Sequence, residues 1–407
     1  MSDKVATRIG WIDEFKGFVL LLVCLYHVEQ SFSYAQMGTL HLSALRMSAF
    51  FFISGMLFST RRFPDFKSYF VHKSKVLLFP YIMLSLLFLA LDPVIYNFDL
   101  FPKAPRMTVM NIRPEIAGVW DYIYWNLAKI FVVGKSSIGS GPLWFVFTLY
   151  SVSLMFYGVQ KLAVLTARMP MLNLTLKQVQ GDIVQHDCQA RKADADIHQH
   201  DRMARVVIAV TAVASLAGGW LLYKNHIRLP LGIERDLTVL FFFACGWLCR
   251  EPIKKIHNVL ILAGVAIISF ILYAIVENPD PYFSIMNNDL GKSLVGFIAS
   301  SFFGIAGLVA AFILADKLPN KTPIRIIKGI LRNISRNALV ILAMHWYILL
   351  VMRLLFRDAI NKPSIAYLSI AIVAAGVIAA IPLFRCKLYK LLGKQPASVR
   401  ESLNIRD

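Results

Sequence analysis

Apolar runs of about 20 residues recur along the whole length of this chain, each long enough to cross a hydrocarbon core of about 30 Å as a helix. Inside a bilayer every backbone amide and carbonyl must find a partner within the protein, so only helices and closed barrels can span it. The alternating ten-residue pattern of an outer-membrane barrel is absent. The chain therefore reads as all-α, a polytopic integral membrane helical bundle. Of its 407 residues 57% are hydrophobic and 16% charged, with mean hydropathy +0.60. A soluble chain would carry about 25% charged residues.

Ten spans are expected, at approximately 17–35, 43–60, 77–96, 143–163, 205–223, 236–249, 258–276, 293–315, 337–355 and 363–384. The net charge of +19 is read as topogenic rather than as a sign of nucleic acid. With the N-terminus cytoplasmic, the cytoplasmic segments hold about 30 of the 43 Lys and Arg and the external ones about 13. Ten spans return the C-terminus to the cytoplasm, and the basic stretch RCKLYKLLGK at 385–394 agrees. No cleavable signal peptide is visible, so the first span is expected to stay as an anchor. One transmembrane domain, 8–390, precedes a cytoplasmic tail, 391–407.

Two polar insertions interrupt the domain. The first, 97–141, is expected outside and carries a Trp- and Tyr-rich segment, 116–133, suited to the membrane interface. The second, 161–205, is expected inside. Its His186, His198 and His200 lie among several Asp residues, but no ligand spacing repeats, and a solvated loop rather than a metal site is expected. Cys245 and Cys249, one helical turn apart, read as packing cysteines.

Titratable groups within apolar spans are costly and therefore mark candidate sites. His27 lies in GFVLLLVCLYHV, after the charged run WIDEFK. Lys16 precedes it by eleven residues, which on a helix is about 1100° of rotation and about 16 Å of rise, so both share one face. A neutral imidazole there can serve as a general base; the alternative is a histidine packed against a neighbouring helix. Asp13, on the same face, can orient a partner or simply favour the helix start. His345, in NISRNALVILAMHWYIL, is a second histidine at bilayer depth. In RMSAFFFISGMLFSTRR at 46–62, Ser54 and Gly55 permit close helix approach. Arg61, Arg62, Lys67, Lys73 and Lys75 then gather in one loop, suited either to a phosphorylated ligand or to topology alone. In GSGPLWFVFTLY, Trp144 is either an interfacial anchor or a stacking platform for a sugar.

Four of these segments, in order, resemble the acyltransferase family 3 membrane proteins, and among them the fucose 4-O-acetylase-like branch. WIDEFKGFVLLLVCLYHV resembles the family's basic-x10-His signature, with Lys16 where arginine is usual. RMSAFFFISGML, PLWFVFTLY and ISRNALVILAMHW resemble its Phe-rich, PLWFL and late Ser-Asn…His segments. The resemblance implies a multi-pass enzyme of the bacterial inner membrane that holds no bound cofactor. An acyl-CoA, usually acetyl-CoA, would donate from the cytoplasm to a hydroxyl of an envelope polysaccharide or lipid-linked sugar. It implies a catalytic role for His27 with Lys16, and donor contacts from the basic loop of Arg61, Arg62, Lys73 and Lys75; Asp13 joins the catalytic group from its place on the same face. Trp144, His345 and Ser54 would line the acceptor route. The rival reading is a transporter or flippase of an acyl or sugar intermediate. Such proteins often show repeated halves, and no repeat is visible here.

Overall fold

The computed structural model describes residues 9–32, 36–63, 65–98, 115–135, 141–178, 186–277, 283–319, 321–356 and 362–393, with backbone alone at Ile95, 168–178 and 186–200. The helices, in order, are α1 (Gly10–Ser31), α2 (Ser43–Met56), α3 (Phe66–Lys73), α4 (Phe79–Asn97), α5 (Val119–Ala128), α6 (Trp144–Gln178), α7 (His186–Lys224), α8 (Ile233–Lys254), α9 (Val259–Glu277), α10 (Leu294–Lys317), α11 (Thr322–Arg336), α12 (Ala338–Leu355) and α13 (Pro363–Cys386). No strand is present among the described residues.

Among the described residues seven stretches are long and apolar enough to cross a membrane: Phe66–Val94, Gly141–Ala167, Asp201–Lys224, Val259–Val276, Leu294–Lys317, Ala338–Leu355 and Pro363–Cys386. The other three expected spans, α1, α2 and α8, fall short for physical reasons. α1 contains Asp13, Glu14, Lys16 and Glu29, α2 has only 14 residues, and α8 is charged at both ends. These helices do not need an apolar surface all round, because their neighbours cover them. Nearly all of α2 is buried, whereas α9 and α13 expose Leu260, Ile267, Ile275 and Ile378, as lipid-facing helices do.

Successive long helices alternate in direction, which defines a near face, where α1 begins, and a far face, where it ends. The ends meet accordingly. At the far face Tyr273 of α9 donates to the His41 carbonyl, 2.6 Å. At the near face Lys317 of α10 donates to the His257 carbonyl before α9, also 2.6 Å.

The segment expected as a polar loop, 161–205, is mostly helix: α6 runs on to Gln178 and α7 starts at His186, with 179–185 outside the described residues. Its Ala, Gln, Lys and Arg are good helix formers, so the two spans simply continue beyond their apolar parts. The metal reading falls where only the backbone is described. Of the insertion 97–141, residues 99–114 and 136–140 lie outside the description, as does most of the tail, 394–407.

The aromatic segment is helical as expected, α5 passing into a π-turn, Lys129–Val133. It does not lie flat. The Tyr122 ring sits 5.4 Å from that of Tyr96, and Tyr81, fifteen residues earlier on α4, donates to the Ile130 carbonyl at 3.0 Å. That is about 22 Å along α4, so α5 descends beside α4 from the far face into the bundle.

Glycines set the closest crossings. A side chain at Gly55 would strike the Phe243 carbonyl of α8, and one at Gly246 would strike the Phe52 carbonyl of α2. This reciprocal pair lets the two backbones touch, which is how membrane helices gain packing energy without a hydrophobic driving force. Gly17 of α1 meets the Leu331 carbonyl of α11 in the same way. Beside it the buried Glu14 carboxylate takes two bonds from Arg332, from Nε at 2.8 Å and Nη2 at 2.5 Å. Gly246→Ala is expected to destabilise the bundle by about 1–3 kcal/mol, because the carbonyl cannot yield. The control, Gly264→Ala, has open space around the new methyl and should be neutral or better. Thermal unfolding of the two purified variants in detergent checks the difference.

Candidate active site

His27 and His345 meet. His27 Nδ1 lies 2.8 Å from His345 Nε2, with the rings nearly parallel at 14°. The other nitrogen of His345, Nδ1, is 2.6 Å from the Ile341 carbonyl one turn back on α12. A carbonyl only accepts, so His345 Nδ1 carries a proton. In the neutral ring Nε2 is then the acceptor. The shared bond must be donated by His27 Nδ1–H, which leaves the lone pair of His27 on Nε2. One backbone carbonyl thus fixes the tautomer of both rings.

The same offset orders the elements that carry the pair. Glu14–Arg332 and His27–His345 are each 318 residues apart in sequence. Thus α1 runs parallel to α11 and α12 taken together, in unbroken register across the kink at Asn337. Trp346 adds an edge-on contact to the His27 ring at 5.0 Å, and Gly141 packs against the Trp346 ring. His345 is fully buried.

His27 borders a cavity of about 120 Å³ in the far half of the bundle. Its walls include Tyr26, Gln30, Ser43, Arg46, Trp144 and the turn Ser284–Met286. Trp144 is buried at 7% exposure, so it faces this cavity rather than anchoring the chain at a lipid interface. The structure therefore brings together three of the expected residues, His27, His345 and Trp144.

Arg46 completes the group, although sequence reading took it only as the start of a span. Its guanidinium lies 3.9 Å over the Tyr26 ring, and Nη1 donates to the Thr39 carbonyl. Thr39 is itself held by Glu29, which accepts from its amide at 2.8 Å and from its hydroxyl, and from the Gly38 amide at 3.2 Å. Glu29, two residues past His27, thereby holds the loop that carries the Arg46 partner. The usable signal was a cation inside a Phe-rich span, where charge is expensive.

The remaining candidates lie apart from the cavity walls. Lys16 pairs with Asp13 at 4.0 Å, about 16 Å along α1 from His27. Ser54 turns back on its own helix and donates to the Phe50 carbonyl, 2.8 Å; its neighbour Gly55 makes the close crossing. On the near face Arg62, Lys73 and Lys75 all lie in the electrostatic neighbourhood of His72. Arg61 and Arg205 likewise surround Arg250, which donates to the Phe58 carbonyl at 3.1 Å. Arg205 and Arg250 flank the Trp247 ring at 5.8 and 5.1 Å. Arg205 starts an expected span and Arg250 follows the end of another; neither was singled out in the sequence, and only the fold adds them to the basic near face. Asp65 caps α3 there, and the bond from the Ser68 amide, 2.7 Å, holds its carboxyl below the ordinary carboxylate range. No cluster with metal-ligand geometry occurs among the described residues.

An acyltransferase-domain family model matches residues 9–384 of the chain, nearly all of the described bundle. Neither a curated protein nor a solved structure matches it.

Nitrogen NMR on histidine-labelled protein tests the tautomer chain. With no added proton both rings should be protonated at Nδ1, and His345→Ala should return His27 to a mixture of tautomers.

Proposed function

The chain belongs to the acyltransferase family 3, and on that premise we propose that it moves an acyl group, acetyl above all, from an acyl-CoA to a sugar hydroxyl. The donor is engaged from the cytoplasm at the near face. The acceptor, an envelope polysaccharide or lipid-linked sugar, enters from the far face. The protein then belongs in the bacterial inner membrane with both termini cytoplasmic. The observation that carries this reading is the histidine pair at the wall of the cavity.

In the transfer, His27 Nε2 takes the proton of the acceptor hydroxyl as that oxygen bonds to the thioester carbonyl carbon. The carbonyl π electrons move to oxygen, and a tetrahedral intermediate forms. Its collapse restores the carbonyl and breaks the C–S bond. The proton passes from His27 to the departing thiolate, so none is left over. His345 takes no proton in this scheme; it accepts the Nδ1–H bond, holds the ring and favours the imidazolium that forms on His27. Arg46 offers fixed donors toward the oxyanion, the type of stabilisation that contributes most in such steps. Trp144 gives the sugar an apolar face to lie on.

Donor phosphates require cations, and Arg61, Arg62, Lys73 and Lys75 supply them, with Arg205 and Arg250 as further contacts. Lys16 and Asp13 lie between that face and His27 along α1. An ammonium gives a point charge without the planar fork of arginine, so Lys16 suits one phosphate or carbonyl oxygen rather than a two-point grip.

His27→Ala should abolish acetylation of the glycan while the protein stays in the membrane; acetylation at the normal level would overturn the base assignment. His345→Ala should lower kcat about 10²-fold or more with little change in KM, since only the transition state needs the oriented base. Mass spectrometry of the envelope glycan and acetyl-CoA consumption by isolated membranes supply the readouts. Consumption that does not depend on this protein would favour a transporter instead.

A further inference from the structure

Behind two walls of the cavity lies a second polar cluster that the transfer step does not use. The turn 284–289 separates them. Ser284, Ile285 and Met286 face the cavity, while Asn287 faces two cations: Lys135 Nζ donates to its side-chain oxygen at 2.9 Å, and Arg228 Nη1 to its carbonyl at 2.6 Å. Trp144 is the other shared wall, with the Arg235 guanidinium 5.5 Å from its ring centre on the side of this cluster.

The cluster has unspent donor capacity. Arg235 is 1% exposed, yet its Nη1 makes no hydrogen bond. Its Nη2 reaches the Leu231 carbonyl at 3.1 Å and its Nε reaches Asp236 at 3.3 Å. A buried, unpartnered guanidinium nitrogen is costly. The backbone is shaped around it: Leu231 and Gly232 both have positive φ, and a side chain at Gly232 would strike the guanidinium. Lys135, Arg228 and Arg235 are electrostatic neighbours, drawn from three separate segments. The acids nearby are already engaged. Glu234 accepts from the Leu229 amide at 3.0 Å, and Asp236 takes bonds from Arg235 and Ser151. Lys135 and Arg228 meet only neutral oxygens in the bonds to Asn287.

We propose that Lys135, Arg228 and Arg235 form an anion subsite for a phosphoryl group on the acceptor, which holds the acceptor while its sugar lies on Trp144 and its hydroxyl reaches His27. Three cationic donors from three directions suit a tetrahedral group with several oxygens better than a planar carboxylate. The inference rests on the acyl-transfer reading for its purpose, though not for the binding itself. The phosphoryl group can belong to a lipid-linked diphosphate or to a soluble sugar phosphate.

Calorimetric titration of the full-length protein in nanodiscs with inorganic pyrophosphate, at saturating CoA to occupy the donor face, tests the subsite directly. The wild type should bind, and the double variant Lys135→Gln/Arg228→Gln, altered only at partly exposed positions, should bind at least tenfold more weakly. Lys321→Gln/Arg325→Gln, exposed on the near face at the start of α11, should bind as the wild type does. No binding in the presence of CoA, or equal binding by the Lys135/Arg228 variant, would overturn the proposal; an adventitious ion site elsewhere gives the second result. Competition then separates the sources. A prenyl-diphosphate sugar in the nanodisc that displaces pyrophosphate better than a soluble sugar phosphate assigns the subsite to lipid-linked acceptors. The reverse assigns it to soluble ones, and displacement by neither counts against it. Because these readouts are binding, they stand apart from the acetylation tests: loss of acetyl transfer with pyrophosphate binding intact would fault the function and leave the subsite.

Discussion

A hydrogen bond between two histidines in the interior of a membrane bundle sets the terms for what surrounds it. Neither ring can rotate freely: His345 is tied to the Ile341 carbonyl, and His27 to His345. The bond requires α1 and α12 to sit at a fixed height relative to each other. A slip of one residue would move the rings about 1.5 Å along the axis and about 100° around it, enough to lose the contact. The Glu14–Arg332 pair and the Gly17–Leu331 contact hold that register from the near face. The α2–α8 crossing then brings Arg46 and Phe50 to the same cavity from the other side.

Much of this architecture was legible in the sequence, since hydropathy reports lipid contact. Among the described residues seven stretches are long and apolar enough to span by themselves. For α1, α2 and α8 the signal weakens because protein covers them, so Asp13, Arg46 and Asp236 can sit in helices that would be unfavourable alone in lipid. His27 and His345 stood out for the complementary reason, as expensive groups in greasy segments. That they touch could not be read from spacing, because 318 residues separate them. Arg46, Arg205 and Arg250 escaped notice for one cause. A cation at the end of a span looks topogenic, and only the neighbouring helices show whether it faces water or another chain segment. The 161–205 segment was misjudged as loop because its polarity marks exit from the bilayer, not the end of the helix.

The descent of α5 explains how polar groups reach the bundle interior. Backbone that does not span is tolerated at depth only where protein buries it. Here hydroxyl bonds tie the two segments in both directions: Tyr81 of α4 donates to the Ile130 carbonyl, and Tyr122 of α5 donates to Asp92 of α4. Gly134 follows, packed against the Leu231 carbonyl, and Lys135, partly exposed, arrives in the electrostatic neighbourhood of Arg235.

The shared 318-residue offset also bears on biogenesis. α1 is made before α11 and α12, carrying a carboxylate at Glu14 and an imidazole at His27 whose partners lie on those later helices. Until those helices are made, α1 carries polar groups in an apolar span whose partners do not yet exist. Assembly of the histidine pair is thus a late event in synthesis. A chain that stops before α12 lacks the partner of His27, and one that stops before α11 lacks that of Glu14 as well.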